Sequence, residues 1–477
     1  MSKKRFYLAT VGCQMNVLDS ELVAADLLAA GYALVDSPRK ADVILFNTCS
    51  VRQHAEDKIY SALGRLKHVK EHHPRKIIGV IGCMAQKDQA EIFRRAPHVD
   101  LVLGPGQLPQ LPALLERIAA GMIPQMEVSR DRSDGSRLDV LQSFARFDPP
   151  RTKEVRRVPS QAMVRIMFGC DKFCTYCIVP QVRGPEQSRP ADEIVREVRR
   201  LADDGCLEVT LLGQTVNSYC DRSGAGSVRL ADLLYRLNDI PGLRRLKFVT
   251  NHPRHVTDDL LQAVRDLDKA SPYLHIPAQS GANRILDRMK RGYTAEFYRE
   301  MLERIRATVP GAAVTSDFIV GFCGETEEEF QETVALVRNA RFKNSFIFKY
   351  SPRPNTRAAE LYADDVPEAD KRRRNNELLA VQNAISLEDN QPYLGRRVEI
   401  LVEGPSKRAY KTATVGRAAL PATDGRANAA GSTTVQLVGR TACDRIVVFD
   451  GPLSLAGQML SVEIEKIDAF TLFGRTA

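Results

Sequence analysis

Short apolar strands alternate with amphipathic helices along most of this chain, and a cysteine stands directly behind strand after strand. In the first hundred residues Phe6–Val11, Asp42–Asn47 and Lys76–Gly82 are strand-length runs rich in β-branched residues. Leu18–Ala30 and Arg52–His72, between them, carry apolar residues at helical spacing. That order predicts an open parallel α/β sheet with helices on its faces. The strands end in Gly12-Cys13, Thr48-Cys49 and Gly82-Cys83. Ligands of open α/β sheets gather at the carboxyl ends of the strands. Cys13, Cys49 and Cys83 can therefore converge on one point. The alternative is three buried cysteines that merely follow strands.

A polar, proline-containing stretch over 128–159 reads as a linker or an extended crossing segment. It separates the N-terminal domain, 1–127, from a second alternating series. The strands expected there are Met163–Phe168, Glu208–Leu212, Arg245–Val249, Tyr273–Ile276, Val314–Val320 and Asn344–Lys349, with helices such as Ala191–Asp203, Asp258–Leu267 and Phe297–Thr308 between them. Six such units predict a partial (β/α)6 barrel over 160–391, not a closed eight-stranded one. The charged helix Glu368–Asn390 ends it. Its run Lys371-Arg372-Arg373-Arg374 reads as one solvated face. From Pro392 short strands take over (Arg397–Val402, Thr433–Val438, Arg445–Phe449, Leu460–Ile467), predicting a small β-barrel over 392–477.

The chemistry concentrates in Cys170-Asp171-Lys172-Phe173-Cys174-Thr175-Tyr176-Cys177, behind the first strand of the second series. The N-terminus lacks a signal-peptide pattern and no apolar run reaches membrane length, so a cytoplasmic location is expected. There, clustered cysteines serve as metal ligands or reactive thiols sooner than as disulfides. Three thiolates on one loop can hold three corners of an iron–sulfur cubane, leaving the fourth iron open to a small molecule. Structural zinc is the other reading. It wants four ligands, and no fourth Cys or His is near in sequence; His252, His255 and His275 could join only through folding. Cys206, Cys220, Cys323 and Cys443 show no pattern and read as small buried or half-buried residues.

The Cys-x3-Cys-x2-Cys loop, with Tyr176 before the last cysteine, resembles the radical S-adenosylmethionine superfamily. Asp317–Glu325, containing Gly321 and Phe322, is similar to that superfamily's glycine-containing strand beside the adenine of the cosubstrate. Gly213-Gln214 and Gln279-Ser280-Gly281 fall where members contact its methionine and ribose parts. The order of parts across the chain resembles the methylthiotransferases, which add an N-terminal three-cysteine domain and a C-terminal barrel of the TRAM type. Gly213–Tyr219, Cys177–Gly184, Gly404–Lys407 and Arg445–Phe449 are similar to the branch acting on dimethylallyladenosine of tRNA (the MiaB type). Cys323 stands where relatives usually carry proline, Thr215 where many carry Asn, and Ala409–Gly431 looks like an insertion.

This resemblance implies methylthiolation of C2 of N6-dimethylallyladenosine at position 37 of tRNA, with two S-adenosylmethionine molecules and two [4Fe-4S] clusters. Cys170, Cys174 and Cys177 would bind one cluster; Cys13, Cys49 and Cys83 would bind the other, the source of sulfur. Tyr176, Gly213, Gln214, Gln279, Gly321 and Phe322 would line the cosubstrate. The implied partners are the tRNA anticodon stem-loop and an external electron donor such as flavodoxin or ferredoxin, with no membrane association and a monomeric chain. Lys407, Arg408, Arg440 and Arg445 would touch RNA. The net charge of +9 is compatible with a polyanionic partner without establishing one. Other readings are a sister enzyme acting on threonylcarbamoyl-adenosine or a ribosomal-protein aspartate, and a non-catalytic iron–sulfur RNA-binding protein.

Overall fold

The structure, a computed structural model, describes residues 3–50, 53–121, 124–128, 147–224, 226–406, 409 and 434–476. The N-terminal sheet has six parallel strands: β1 Arg5–Val11, β2 Ala33–Leu34, β3 Val43–Thr48, β4 Ile77–Ile81, β5 Leu101–Leu103 and β6 Gln125–Glu127, ordered β2-β1-β3-β4-β5-β6. Helices cover both faces, so β3 and β4 are buried at every position, and Val43–Phe46 and Ile77–Ile81 read as near-continuous apolar runs. Val43, Leu45, Ile77 and Ile81 pack with Leu18, Leu22 and Leu27 of α1 (Gln14–Ala29). The alternate residues Ile44, Phe46, Ile78 and Val80 pack with Ile59, Leu63 and Leu66 of α2 (Gln53–His72).

In the second unit, two three-stranded parallel sheets place Glu208–Leu212 between Gln161–Arg165 and Arg245–Phe248, and Ala313–Val320 between Tyr273–His275 and Asn344–Lys349. A parallel bridge from Leu246 to Ala270 joins them. The six strands thus follow one another as an open, partial barrel. Helices bury a continuous core against its outside. The expected strand Met163–Phe168 is in fact two pieces. The chain leaves the sheet after Arg165, and Met167–Phe168 pairs antiparallel with Gln187–Ser188, starting the loop that carries the cysteines.

One expectation needs correction and two gain detail. The described part of the segment over 128–159 packs between the units: Arg151 and Arg156 are buried, and Arg151 Nη1 and Nη2 bind Glu21 (3.1 Å) and Glu197 (2.6 Å). Residues 129–146 of that segment lie outside the described residues. The Lys371–Arg374 run is not one solvated face. A helix turns about 100° per residue, so four consecutive side chains point nearly all round it. Lys371 and Arg374 are buried, paired with Asp364 and with Glu325 and Glu327. Lastly, the C-terminal barrel has a fifth strand, Thr471–Thr476, between Ile446–Pro452 and Met459–Ile467, and closes as Met459–Ile467 pairs with Arg397–Pro405. The insertion-like Ala409–Gly431 falls, apart from Ala409, outside the described residues.

The closed barrel docks on the partial barrel through Asp444. Its carboxylate meets Lys247 Nζ (3.1 Å) and Arg440 Nη1 (2.9 Å), and Lys343 Nζ donates to its backbone carbonyl. Arg440 also binds Glu403 (2.9 Å), and Arg445 donates to Asn390 and stacks over Tyr393. Both arginines expected at RNA are therefore engaged at this junction. Lys407 and Arg408 lie outside the described residues.

Candidate active site

Cys13, Cys49, Cys83, Gly213 and Gly321 follow parallel strands, at the carboxyl ends where side chains of successive loops meet. The loop with Cys170, Cys174 and Cys177 is held by its backbone. Cys170 N–H donates to Gly184 O (3.1 Å), Cys177 N–H to Cys174 O (3.0 Å), and Thr175 N–H to Met289 O (3.1 Å). Gly169, just before Cys170, has φ +70°, and a Cβ there would collide with the Pro185 carbonyl. Burial pushes the Cys177 thiol up to about 12, aided by negative charge from Cys174, and burial also raises Cys170. Thiols held protonated in this way lose their protons to iron on binding it.

Arg291 is the residue that spacing could not reveal. Buried, it donates from Nη1 to Cys174 Sγ (3.2 Å) and Tyr176 Oη (3.4 Å), from Nε to Tyr293 Oη (3.0 Å), and from Nη2 to Pro277 O (3.0 Å). It lies 117 residues from Cys174 in the chain, so only the fold brings a cation to the thiol. Hydrogen bonds to cysteine sulfur tune such sites and orient the ligands.

The remaining expected cosubstrate residues share this rim. Gly213 follows Glu208–Leu212, and a Cβ on it would meet the Met167 side chain. Gln214 has a buried Oε1 with no hydrogen-bond partner among the described residues, an acceptor available to a bound molecule. Gln279, at φ +73°, bridges by backbone to the neighbouring strand, N–H to Asp317 O (2.8 Å) and O from Ile319 N–H (3.0 Å). Gly321 N–H donates to Glu325 Oε2 (2.6 Å). Phe322 is wholly buried, its ring packed edge-on against Tyr350.

Cys13, Cys49 and Cys83 follow β1, β3 and β4, which are adjacent in the sheet. Strands are about 4.8 Å apart, so their three loops stand side by side. A hydrogen bond from Cys49, with Arg183 nearby, outweighs burial and lowers Cys13 to about 6. Beneath them the buried pair Asn16 and Asn47 is fully knitted: Asn16 Nδ2 donates to Asn47 Oδ1 (3.0 Å), and Asn47 Nδ2 to Asn16 O (2.9 Å) and Ser20 Oγ (2.9 Å). Asn16 Oδ1 accepts from Cys13 Sγ (3.2 Å). The signal in sequence was an Asn closing the otherwise apolar run Val43–Phe46. Gly82, at φ +91°, leaves no room for a Cβ beside Asn47.

Among the described residues no three His, Cys, Asp or Glu side chains close on a single metal ion, and His252, His255 and His275 join neither triad in such a group. A cubane takes one thiolate per iron and spreads its ligands wider than one zinc ion does, so two triads of soft thiolates fit iron–sulfur clusters better than zinc.

Comparison with known proteins gives these features a class. Residues 164–337 match the Radical SAM superfamily, and residues 5–104 match the family described as Uncharacterized protein family UPF0004. A radical S-adenosylmethionine methyltransferase from Kitasatospora setae, TsrM, superposes with a TM-score of 0.52 over 75% of each chain, at 15% identity, a likeness of fold alone. This is a radical S-adenosylmethionine fold with an added three-cysteine domain. The tRNA-2-methylthio-N(6)-dimethylallyladenosine synthase of Rhodopirellula baltica is 56% identical over 472 residues, covering 99% of this chain and 95% of that protein. The synthase of the same name from an Acidovorax species is 44% identical over 477 residues, covering 99% and 97%. The chain belongs to the tRNA-2-methylthio-N(6)-dimethylallyladenosine synthase family of radical S-adenosylmethionine tRNA methylthiotransferases. Among the described residues no helix is long and apolar enough to cross a membrane.

Proposed function

We propose that this chain replaces the C2 hydrogen of N6-dimethylallyladenosine at position 37 of tRNA with a methylthio group. The reading uses two S-adenosylmethionine molecules and two [4Fe-4S] clusters, one held by Cys170, Cys174 and Cys177, the other by Cys13, Cys49 and Cys83. One observation carries it. Two cysteine triads stand at strand ends of two separate sheets, and their loops touch, Cys83 packing with Ile178 and Val182 in one buried group. When bound, the first cluster supplies the electron that cleaves the sulfonium of S-adenosylmethionine, and the second supplies sulfur; such chemistry belongs to cofactors.

The protein supplies position. Arg291 orients Cys174 and Tyr176; Gln214, Gln279 and the Gly321 backbone line the rim where the cosubstrate lies. The anticodon stem-loop enters towards that rim, bringing one base within reach of both triads. An external donor such as flavodoxin or ferredoxin provides the electron. RNA backbone binding is salt-dependent, and the C-terminal barrel shares in it.

The test is to incubate anaerobically reconstituted protein with S-adenosylmethionine, a reductant and tRNA from cells lacking the activity, then to identify nucleosides by mass spectrometry. A methylthio gain on dimethylallyladenosine is expected. The same gain on threonylcarbamoyl-adenosine would refute the substrate. Loss of methylthiolation with retained 5′-deoxyadenosine formation is expected for Cys49→Ala; full methylthiolation by that variant would refute the sulfur-donating triad.

A further inference from the structure

The loop bearing Cys170, Cys174 and Cys177 continues through Ile178 and the short helix Val179–Val182 to Arg183. Ile178 and Val182 pack directly on Cys83 of the N-terminal unit. Arg183 then crosses the boundary. Its Nε donates to Cys83 Sγ (3.2 Å), and its Nη2 donates to Asp19 Oδ2 (2.6 Å). Asp19 lies on α1, the helix that starts immediately after Cys13. Its side chain is fully buried, that of Arg183 nearly so, and Arg165 Nη1 stands 3.9 Å from the other carboxylate oxygen. The third nitrogen of Arg183, Nη1, is buried with no hydrogen-bond partner among the described residues.

Stability does not account for this arrangement. Desolvating a guanidinium and a carboxylate costs about as much as their pairing returns, and an apolar side chain among Ile178, Val182 and Cys83 would serve packing better. What an arginine adds is direction. Its fork has a fixed geometry, with one tooth on a carboxylate and one on a sulfur. The free Nη1 leaves a donor beside the thiol for a sulfide bound there. A cation and a hydrogen bond at a ligand sulfur favour the more negative, reduced state of a cluster, raising its potential.

We propose that Arg183 is a positioning residue for the reaction: anchored by Asp19, it fixes the Cys83 sulfur against the loop of the other triad and sets the potential of the cluster on Cys13, Cys49 and Cys83. The inference rests on the reading that those three cysteines hold a cluster.

It is tested in the full chain with Cys170, Cys174 and Cys177 all changed to Ala, so that any cluster present is the N-terminal one. Iron and sulfide content, the EPR spectrum of the reduced state and its potential by redox titration are compared for Arg183→Met, Arg183→Lys and Asp19→Asn. Arg183→Met should keep its iron but shift the potential to more negative values and alter the EPR signal. Arg183→Lys, which keeps the charge, should recover most of that shift. If Arg183→Met fails to hold iron, Asp19→Asn, which leaves the guanidinium but frees it, decides: a shifted or broadened signal supports the role and an unchanged one overturns it. An iron-replete Arg183→Met protein with the parent's potential and spectrum overturns the inference alone. A parent that binds no cluster overturns it together with the reading beneath it.

Discussion

Replacing Gly169 by alanine should disable one cysteine triad and spare the other. The residue is left-handed, at φ +70°, which costs an alanine about 1–2 kcal/mol. The new methyl would lie against the Pro185 carbonyl and 2.6 Å from Gly184 O, where ordinary contact begins near 3.4 Å. The obstruction is backbone, so no side chain can swing aside. Moving Gly184 O also breaks the hydrogen bond it accepts from Cys170 N–H (3.1 Å), worth about 1 kcal/mol net. The sum is about 3 kcal/mol, roughly a hundredfold in the local equilibrium, concentrated on the segment that aims Cys170. After anaerobic reconstitution, Gly169→Ala should carry no more iron than Cys170→Ala and lose 5′-deoxyadenosine formation by at least about tenfold, the part of that hundredfold expected to survive loop relaxation. Its thermal unfolding should fall by no more than the few degrees that about 3 kcal/mol costs a chain of this size. A variant with the parent's iron content and cleavage rate would refute the argument that this glycine is demanded by backbone approach.

Three other expectations follow from buried charge. Arg151→Ala strips the shared partner from Glu21 and Glu197; Glu197 keeps Arg189, but the buried Glu21 is left without an ion-pair partner among the described residues, which should destabilise by about 3–5 kcal/mol, read as a lowered midpoint in denaturant. Asp444→Asn keeps the left-handed backbone that Asn tolerates but removes the charge facing Lys247 and Arg440, so limited proteolysis between residues 390 and 397 should quicken while iron content is unchanged. Burial outweighs the Gly321 amide and Arg374 and pushes Glu325 up to about 7 from 4.5. The folded chain thus retains a proton that the unfolded chain releases, so this contribution to stability is full below about pH 4.5 and is lost as pH rises through 7. Glu325→Gln should flatten the stability profile across that window, and an unaltered slope would count against the raised pKa.

The strands were legible because short runs rich in β-branched and aromatic residues alternate with helical stretches, and Glu208–Leu212 and Asn344–Lys349 have those bounds in the structure although only the first is largely buried. The cysteines were legible because their position behind strands is a matter of chain order. The groups around them were not. Arg291 reaches Cys174 across 117 residues and Arg183 reaches Cys83 across 100, and an isolated arginine carries no periodic trace of its partner. Charge runs misled for the opposite reason. Lys371 and Arg374 looked solvated because composition suggests it, yet the carboxylates that bury them come from the Asp364 turn and the Glu325–Glu327 segment. Arg151 sat in a stretch rich in proline and charge, and became a buried ion of the boundary between units.

That boundary explains why ions, not only apolar groups, join the units. Apolar surfaces attract without direction, so two sheets pressed together by leucines could slide by a fraction of a turn at little cost. Under the proposed function the two triads address one base, and that arrangement cannot tolerate such sliding, since small misplacements of reacting groups cost orders of magnitude in rate. Asp19 and Glu21 lie on the helix rooted at Cys13, and both are gripped from outside the first sheet, Asp19 by Arg183 of the second unit and Glu21 by Arg151 of the crossing segment. Glu197 ties Arg151 onward to Arg189 (2.8 Å), whose Nη1 also donates to Arg165 O (2.6 Å) at the end of the strand leading to Cys170. A chain of directional pairs therefore runs from the root of one triad to the root of the other. Each pair gives up stability that packing would have supplied more cheaply, and what the chain gains is a single allowed orientation.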